Sequence, residues 1–342
     1  MSDILVAKPE LPEGTIDCSV GEPHIIRDVL DRYFDLRNLN LRGSSRWTEY
    51  PNSVGNKSLV KMLEDKYQAP VIITNGAKQA LGACFYALSQ MGRGSCAMRS
   101  PYWALIPPLM KMHNLKPQFV EGDNAVTESA EAYLCLAPNN PDGFVPAHLH
   151  EMASFYQERG IPFIHDAAYY THTYLPGDYK LQSLGDAQIY SVSKMLGVSG
   201  IRVGFVVCHN PVMYSHIKYY MEAMTVGVSS ISQLYFYNLL SSMDYDKEST
   251  KKFEQDSFAA LQKAKKILSQ VSSDVLSIPS NLESVPGMFL WAKVMPKASF
   301  QKSKIHVVNG APFGAPGMVR MNMAFNESTL NEIVSRLNEV VK

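Results

Sequence analysis

Cysteine is scarce in this sequence: five residues (Cys18, Cys84, Cys96, Cys135 and Cys208) in a chain of 342, with no CxxC pair among them. A scattered, odd-numbered set argues against a disulfide framework and for a reducing compartment. Long apolar runs are missing too. None approaches the roughly 18 residues of a membrane-spanning helix, so no transmembrane segment is expected. There is no excess of charge of either sign. Lys+Arg and Asp+Glu both number 32, which leaves no net field to draw the chain onto nucleic acid or anionic lipid. The opening residues, MSDILVAKPELPEG, hold no basic stretch followed by an apolar one, so no secretory signal is expected and the cytoplasm is the default. His148 and His150 have no third ligand nearby and read as a surface pair at a helix start, not a metal site.

What is present is strand–helix alternation. The chain is 46% hydrophobic, and its length suggests about two domains. Short apolar runs at 70–74, 95–100, 132–138, 161–167, 187–193 and 202–209 read as buried strands. Helix-period segments lie between several of them, notably GAKQALGACFYALSQM from Gly76 and PAHLHEMASFYQERG from Pro146. This predicts an α/β fold with a mostly parallel sheet covered on both faces. A long charged amphipathic helix is expected over 244–270, followed by the short segments MFLWAKV, IHVVNG and MVRMNMAF. They read as a smaller α+β unit. The expected division is a large domain over 26–245 and a small domain from 1–25 and 246–342.

In such sheets ligands bind beyond the carboxyl ends of the strands. After PVIIT comes NGAKQAL, a glycine turn opening a helix and suited to a phosphate. After AYLCLA comes PNNPDG, after IPFI comes HDAAYY, and after AQIY comes SVSK. The strand ends thus offer a phosphate cradle, an amide, a carboxylate with a nearby tyrosine, and a lysine. A pyridine aldehyde with a phosphate arm needs all four. A lysine can form a Schiff base with the aldehyde, and a carboxylate can keep the ring nitrogen protonated so that the ring accepts electrons.

The order of these motifs resembles the class I/II aminotransferases of the fold-type I pyridoxal 5'-phosphate (PLP) enzymes, a three-layer large domain with a smaller α+β domain. The likeness runs from SVGEP at 19–23 to MVRMNMAF at 318–325. The family pattern S-x-S-K-x-x-G-x-x-G-x-R-x-G is met by Ser191, Ser193, Lys194, Gly197, Gly200, Arg202 and Gly204. The resemblance implies that Lys194 holds the internal aldimine and shuttles the proton. It implies that Asp166 pairs with the pyridine nitrogen and that Tyr169 and Asn140 contact the ring oxygen. Gly76, Ala77, Lys78, Ser191, Ser193 and Arg202 would form the phosphate site, and Trp103 would stack on the ring. Arg320 would take the substrate α-carboxylate with Gly21 and Asn140 beside it, and no metal is implied. Tyr50 would reach the phosphate of the neighbouring subunit of a homodimer. The implied activity is ping-pong transfer of an amino group from an α-amino acid to a 2-oxo acid. A decarboxylase, β-lyase or racemase on the same scaffold is the alternative, and a non-catalytic binding protein the remote one. The segment EAMTVGVSSISQ lacks an arginine where dicarboxylate-specific relatives place a second clamp, and NGAKQ differs from the NGSDE type of histidinol-phosphate aminotransferases.

Overall fold

The computed structural model describes residues 10–35, 49–122, 127 and 129–340. Its strands, in chain order, begin with β1 (Ile16–Asp17), β2 (Val71–Thr74), β3 (Ser95–Arg99), β4 (Lys116–Val120) and β5 (Tyr133–Leu136). Next come β6 (Phe163–Asp166), β7 (Ala187–Ser191) and β8 (Gly204–Cys208). The remainder are β9 (Leu276–Ser277), β10 (Phe289–Val294), β11 (Ile305–His306), β12 (Val308–Asn309) and β13 (Met318–Asn322).

Seven strands form one sheet in the order β2-β8-β7-β6-β5-β3-β4. The pairings from β7 through to β4 are parallel, whereas β8 runs antiparallel to both β7 and β2. β2, β6, β7 and β8 are buried along their length, as expected where helices cover both faces. β4 had no counterpart in the sequence reading. It is a half-exposed edge strand carrying Pro117, so it lacks the continuous apolar run of its neighbours.

Three expected boundaries are corrected. The run at 187–193 is strand only to Ser191, because the chain turns at once into a one-turn helix, Val192–Met195. The helix expected from Pro146 starts at Leu149 and ends at Glu158. The helix expected over 244–270 is the end of one helix (Ser230–Tyr245) and the whole of another (Lys247–Leu268). Asp246 separates them, and its carboxylate caps the second by accepting from the Ser249 N–H at 2.9 Å.

Lys247–Leu268 reaches two apolar cores. Phe253 and Leu261 pack into the large-sheet core, while Ala264 and Leu268 belong to a second cluster with Leu290, Val319 and Met321. Over that second cluster lies a four-stranded sheet of order β12-β13-β10-β9. IHVVNG is not one strand: β11 pairs with β1, whereas β12 pairs with β13.

Candidate active site

One edge of the seven-stranded sheet collects the sites suggested by the sequence. β2, β3, β5, β6 and β7 all end there. The reversed β8 begins there, so Arg202, two residues before it, arrives beside the ends of its neighbours. A cavity of about 480 Å³ opens at this edge. Its walls include Ala77 and Lys78 beyond β2, Trp103 beyond β3, Asn140 beyond β5, and Asp166 and Tyr169 at and beyond β6. Ser191 at the end of β7 and Ser193 and Lys194 beyond it also line it, with Arg202 before β8. Gly21 and Arg320 close it from the second sheet's side.

Strand alternation delivers Arg320. In β13, Val319 and Met321 enter the smaller core, so Arg320 and Asn322 point the other way. Both hold the segment that contains Gly21. Arg320 Nη2 donates to the Ser19 carbonyl at 2.7 Å, and Asn322 Nδ2 donates to the Val20 and Glu22 carbonyls at 2.9 and 2.8 Å. Arg320 Nη1 donates to Asn140 Oδ1 at 3.1 Å. The guanidinium carbon lies 4.3 Å from the Phe289 ring centroid and 5.1 Å from that of Phe313. Arg320 is only 7% exposed, and its buried Nε–H has no hydrogen-bond partner. Burial pushes its pKa down to about 10, so it stays cationic at neutral pH. Buried cations normally carry a paired anion. No described carboxylate pairs with this one, so the arrangement is that of an anion receptor.

Lys194 sits in the short turn after β7. Its Nζ donates to the Gly21 carbonyl, and its own carbonyl accepts from Tyr174 Oη at 2.8 Å. Burial, and then the nearby Arg320 cation, lower the Lys194 pKa to about 8; Glu22 pulls the other way, and Arg202 adds a smaller lowering. A lowered pKa raises the fraction of neutral, nucleophilic amine near neutrality. Asp166, 7% exposed, accepts from the Ala168 N–H at 3.1 Å, and no described cation pairs with it. Burial raises its pKa to about 6. A desolvated carboxylate of this kind is poised for a cationic N–H.

The phosphate-type cradle forms at the start of the 15-residue helix Gly76–Gln90. Gly76 has φ +74, and a Cβ there would lie 2.6 Å from Arg202 Nη2, so only glycine lets the guanidinium approach the helix start. Arg202 itself is left-handed (φ +52) and donates to Ser193 Oγ at 3.3 Å and to the Ser199 carbonyl at 3.0 Å. Lys78 Nζ lies 6.0 Å from the Trp103 ring centroid. Trp103 lines the cavity and also packs against the main core. Tyr169 is buried, edge-on to Tyr174 and Phe289 at 5.2 and 6.0 Å, and burial raises its phenol pKa.

Tyr50 does not reach the cavity of its own chain; it is 91% exposed. Phe289 and Glu22 line the cavity and went unnoticed in the sequence. Phe289 lay in a segment legible only as small-domain strand, whereas Glu22 had a signal as the neighbour of Gly21 in VGEP. Tyr174 and Asn322 act through backbone carbonyls and leave no sequence signal. All five cysteines are unpaired and buried, and no described helix is long and apolar enough to cross a membrane.

The chain is similar to several known proteins in sequence or in fold. The "Probable aspartate/prephenate aminotransferase" of Aquifex aeolicus is 25% identical, over 94% of this chain and 88% of its own length. The "Tryptophan aminotransferase-related protein 2" of Arabidopsis thaliana is 29% identical over 61% of this chain and 48% of its own. In fold, an aspartate aminotransferase from Thermus thermophilus, solved with maleate, superposes with a TM-score of 0.76 at 19% identity, covering 95% of this chain and 91% of that one. An aromatic aminotransferase from Pyrococcus horikoshii gives 0.76 at 18% identity, covering 96% of each chain. Residues 35–337 match the family described as "Aminotransferase class I and II", whose members use PLP. That match spans most of the sequence and includes the strand ends that build the cavity, so the chain belongs to the class I and II aminotransferases.

Proposed function

We propose that this cavity holds PLP and passes the amino group of an α-amino acid to a 2-oxo acid. The observation that carries this reading is the meeting of Lys194, Asp166 and Arg320 in one buried cavity: an amine with lowered pKa, a carboxylate lacking a cation, and a cation lacking an anion. The residues fit the cofactor. Asp166 would hold the proton on its ring nitrogen. Asn140 Oδ1 already accepts from Arg320, which leaves Nδ2 to donate to the ring oxygen alongside the Tyr169 hydroxyl. Ser191, Ser193, Arg202 and the N–H groups of Gly76, Ala77 and Lys78 would bind the phosphate, and the flat face of Trp103 would cover the ring and exclude water.

When bound, the cofactor would supply the electron-accepting ring and the aldehyde carbon. The remaining work falls to the chain. Arg320 receives the substrate carboxylate through parallel hydrogen bonds and fixes the amino acid's orientation. The Lys194 amine would serve as the base that takes and returns the substrate's α-proton. The Gly21 carbonyl gives that amine a resting acceptor. Arg320 clamps the carboxylate instead of expelling it, which favours transfer over decarboxylation. We further place Tyr50 at the phosphate of a partner subunit in a cytoplasmic homodimer; its full exposure in the single chain supports this. The test is an absorbance titration of the PLP-loaded protein with amino acids in turn. A donor converts the lysine-linked cofactor to its aminated form, and a 2-oxo acid restores it. Loss of carbon dioxide would instead assign a decarboxylase, and release of a side-chain fragment with free ammonia and no aminated cofactor would assign a lyase.

A further inference from the structure

Asp142 lies two residues beyond Asn140 but outside the cavity wall. Its Oδ2 accepts from Arg99 Nη1 at 2.7 Å, and both side chains are largely buried. Its Oδ1 accepts from Asn139 Nδ2 at 2.7 Å and from the Phe144 N–H at 3.2 Å. Asn139 Nδ2 also donates to the Pro101 carbonyl at 2.9 Å, and the Arg99 guanidinium lies 4.2 Å from the Phe144 ring centroid. Arg99 ends β3, and Pro101 leads from it toward Trp103. Asn139 and Phe144 close the turn that carries Asn140, with the Asn139 N–H donating to the Phe144 carbonyl at 2.8 Å. One carboxylate therefore ties the loop beneath Trp103 to the loop that presents Asn140.

That tie reaches Arg320. Two aromatic rings flank its guanidinium, but ring contacts orient a cation only loosely. The rotation of the fork is fixed by hydrogen bonds, to Ser19 on one nitrogen and to Asn140 on the other. We propose that the Arg99–Asp142 pair is a positioning device for the substrate carboxylate: it seats Asn140 against Arg320 and so sets the plane of the fork. The inference rests on the carboxylate role of Arg320 given above. A largely buried, bidirectionally bonded charge pair suits this task, because it is stiffer and less screened than a surface pair.

The test measures calorimetric binding of succinate and of 3-phenylpropionate to the PLP-loaded protein, using whichever the wild type holds more tightly. The variants are Asp142→Asn, Arg99→Gln, their combination, and Arg320→Lys. Each single change at the pair should weaken carboxylate binding by about tenfold, the scale of one charge-assisted contact. The double variant should be no weaker than the worse single, since one device is removed once. Cofactor absorbance should stay near wild type; binding is measured well below each variant's melting temperature, which breaking a largely buried pair lowers. Should Asp142→Asn not fold, Arg99→Gln and the double variant carry the same comparison. Unchanged carboxylate affinity overturns the proposal, as does a loss matched by an equal loss of cofactor. If the wild type binds neither carboxylate, or Arg320→Lys binds as the wild type does, the reading of Arg320 itself fails instead.

Discussion

Replacing Arg320 by lysine keeps the charge and removes the geometry. In the structure two N–H groups of the fork are already engaged, by Asn140 at 3.1 Å and Ser19 at 2.7 Å, which aims the others. A carboxylate arriving there can take two parallel charge-assisted bonds, each worth roughly 1.5–3 kcal/mol. A lysine ammonium offers a point charge on a flexible stem and cannot hold Asn140, Ser19 and the substrate in one plane. Losing about one bond of the pair costs about 3 kcal/mol, or about a hundredfold in kcat/KM. The assay is steady-state transamination with the best amino acid, set beside an amine that lacks the α-carboxylate. The expected result is a drop of about two orders of magnitude on the first and a far smaller change on the second, with the resting cofactor spectrum unaltered. Near wild-type kcat/KM on the amino acid would refute the reasoning, because a buried fork that binds no carboxylate has no transition-state interaction to lose.

Lys194→Ala should abolish turnover while leaving part of the cofactor binding, and borohydride reduction of the wild type followed by peptide mapping should mark Lys194; a mark on another lysine sinks the assignment. Asp166→Asn should stabilise the cofactor-free protein at pH 7 by up to roughly 3 kcal/mol, the equivalent of a pKa raised from 3.8 to about 6. The folded carboxyl keeps its proton where the unfolded one has lost it, so wild-type stability falls as pH rises from about 4 to 6; urea melts across that range should separate the two proteins, and parallel curves would contradict the burial argument. Gly197→Ala should destabilise by well over about 1 kcal/mol, since φ is +73 and the new Cβ would lie 2.5 Å from the Arg27 nitrogen, whereas Gly200→Ala, with nothing within 4 Å in the single chain, should melt like the wild type. Dilution that dissociates the proposed dimer should release cofactor and activity together; a fully active monomer in sedimentation would remove Tyr50 from the site.

Much of the site was legible because its residues follow directly on short buried strands. Short runs such as VIIT and FIHD betray buried strands, and the polar residues at and after their ends are placed by the sheet itself. Where that signal weakens, the sequence reading failed. β4 is a half-exposed edge strand, and Pro146 opens a turn instead of a helix. The stop at Asp246 was hidden because charged residues on both sides are all compatible with helix.

The sequence by itself determined the strand-end chemistry and the order of glycine turn, amide, carboxylate and lysine along the chain. These are local properties, written in spacing of two or of three to four residues. Only the tertiary structure decided what those groups meet. The reversal of β8 brings Arg202 to Gly76. Folding back the segment near Gly21 gives Lys194 an acceptor. The contact between the two sheets sets Arg320 against Asn140, 180 positions apart in the chain. Asp142, an unremarkable loop residue in the sequence, acquires Arg99 and Asn139 in the same way. Such pairings depend on register and on the closing of long loops, and no local pattern encodes them, because the free energy that selects them comes from burying both partners at once.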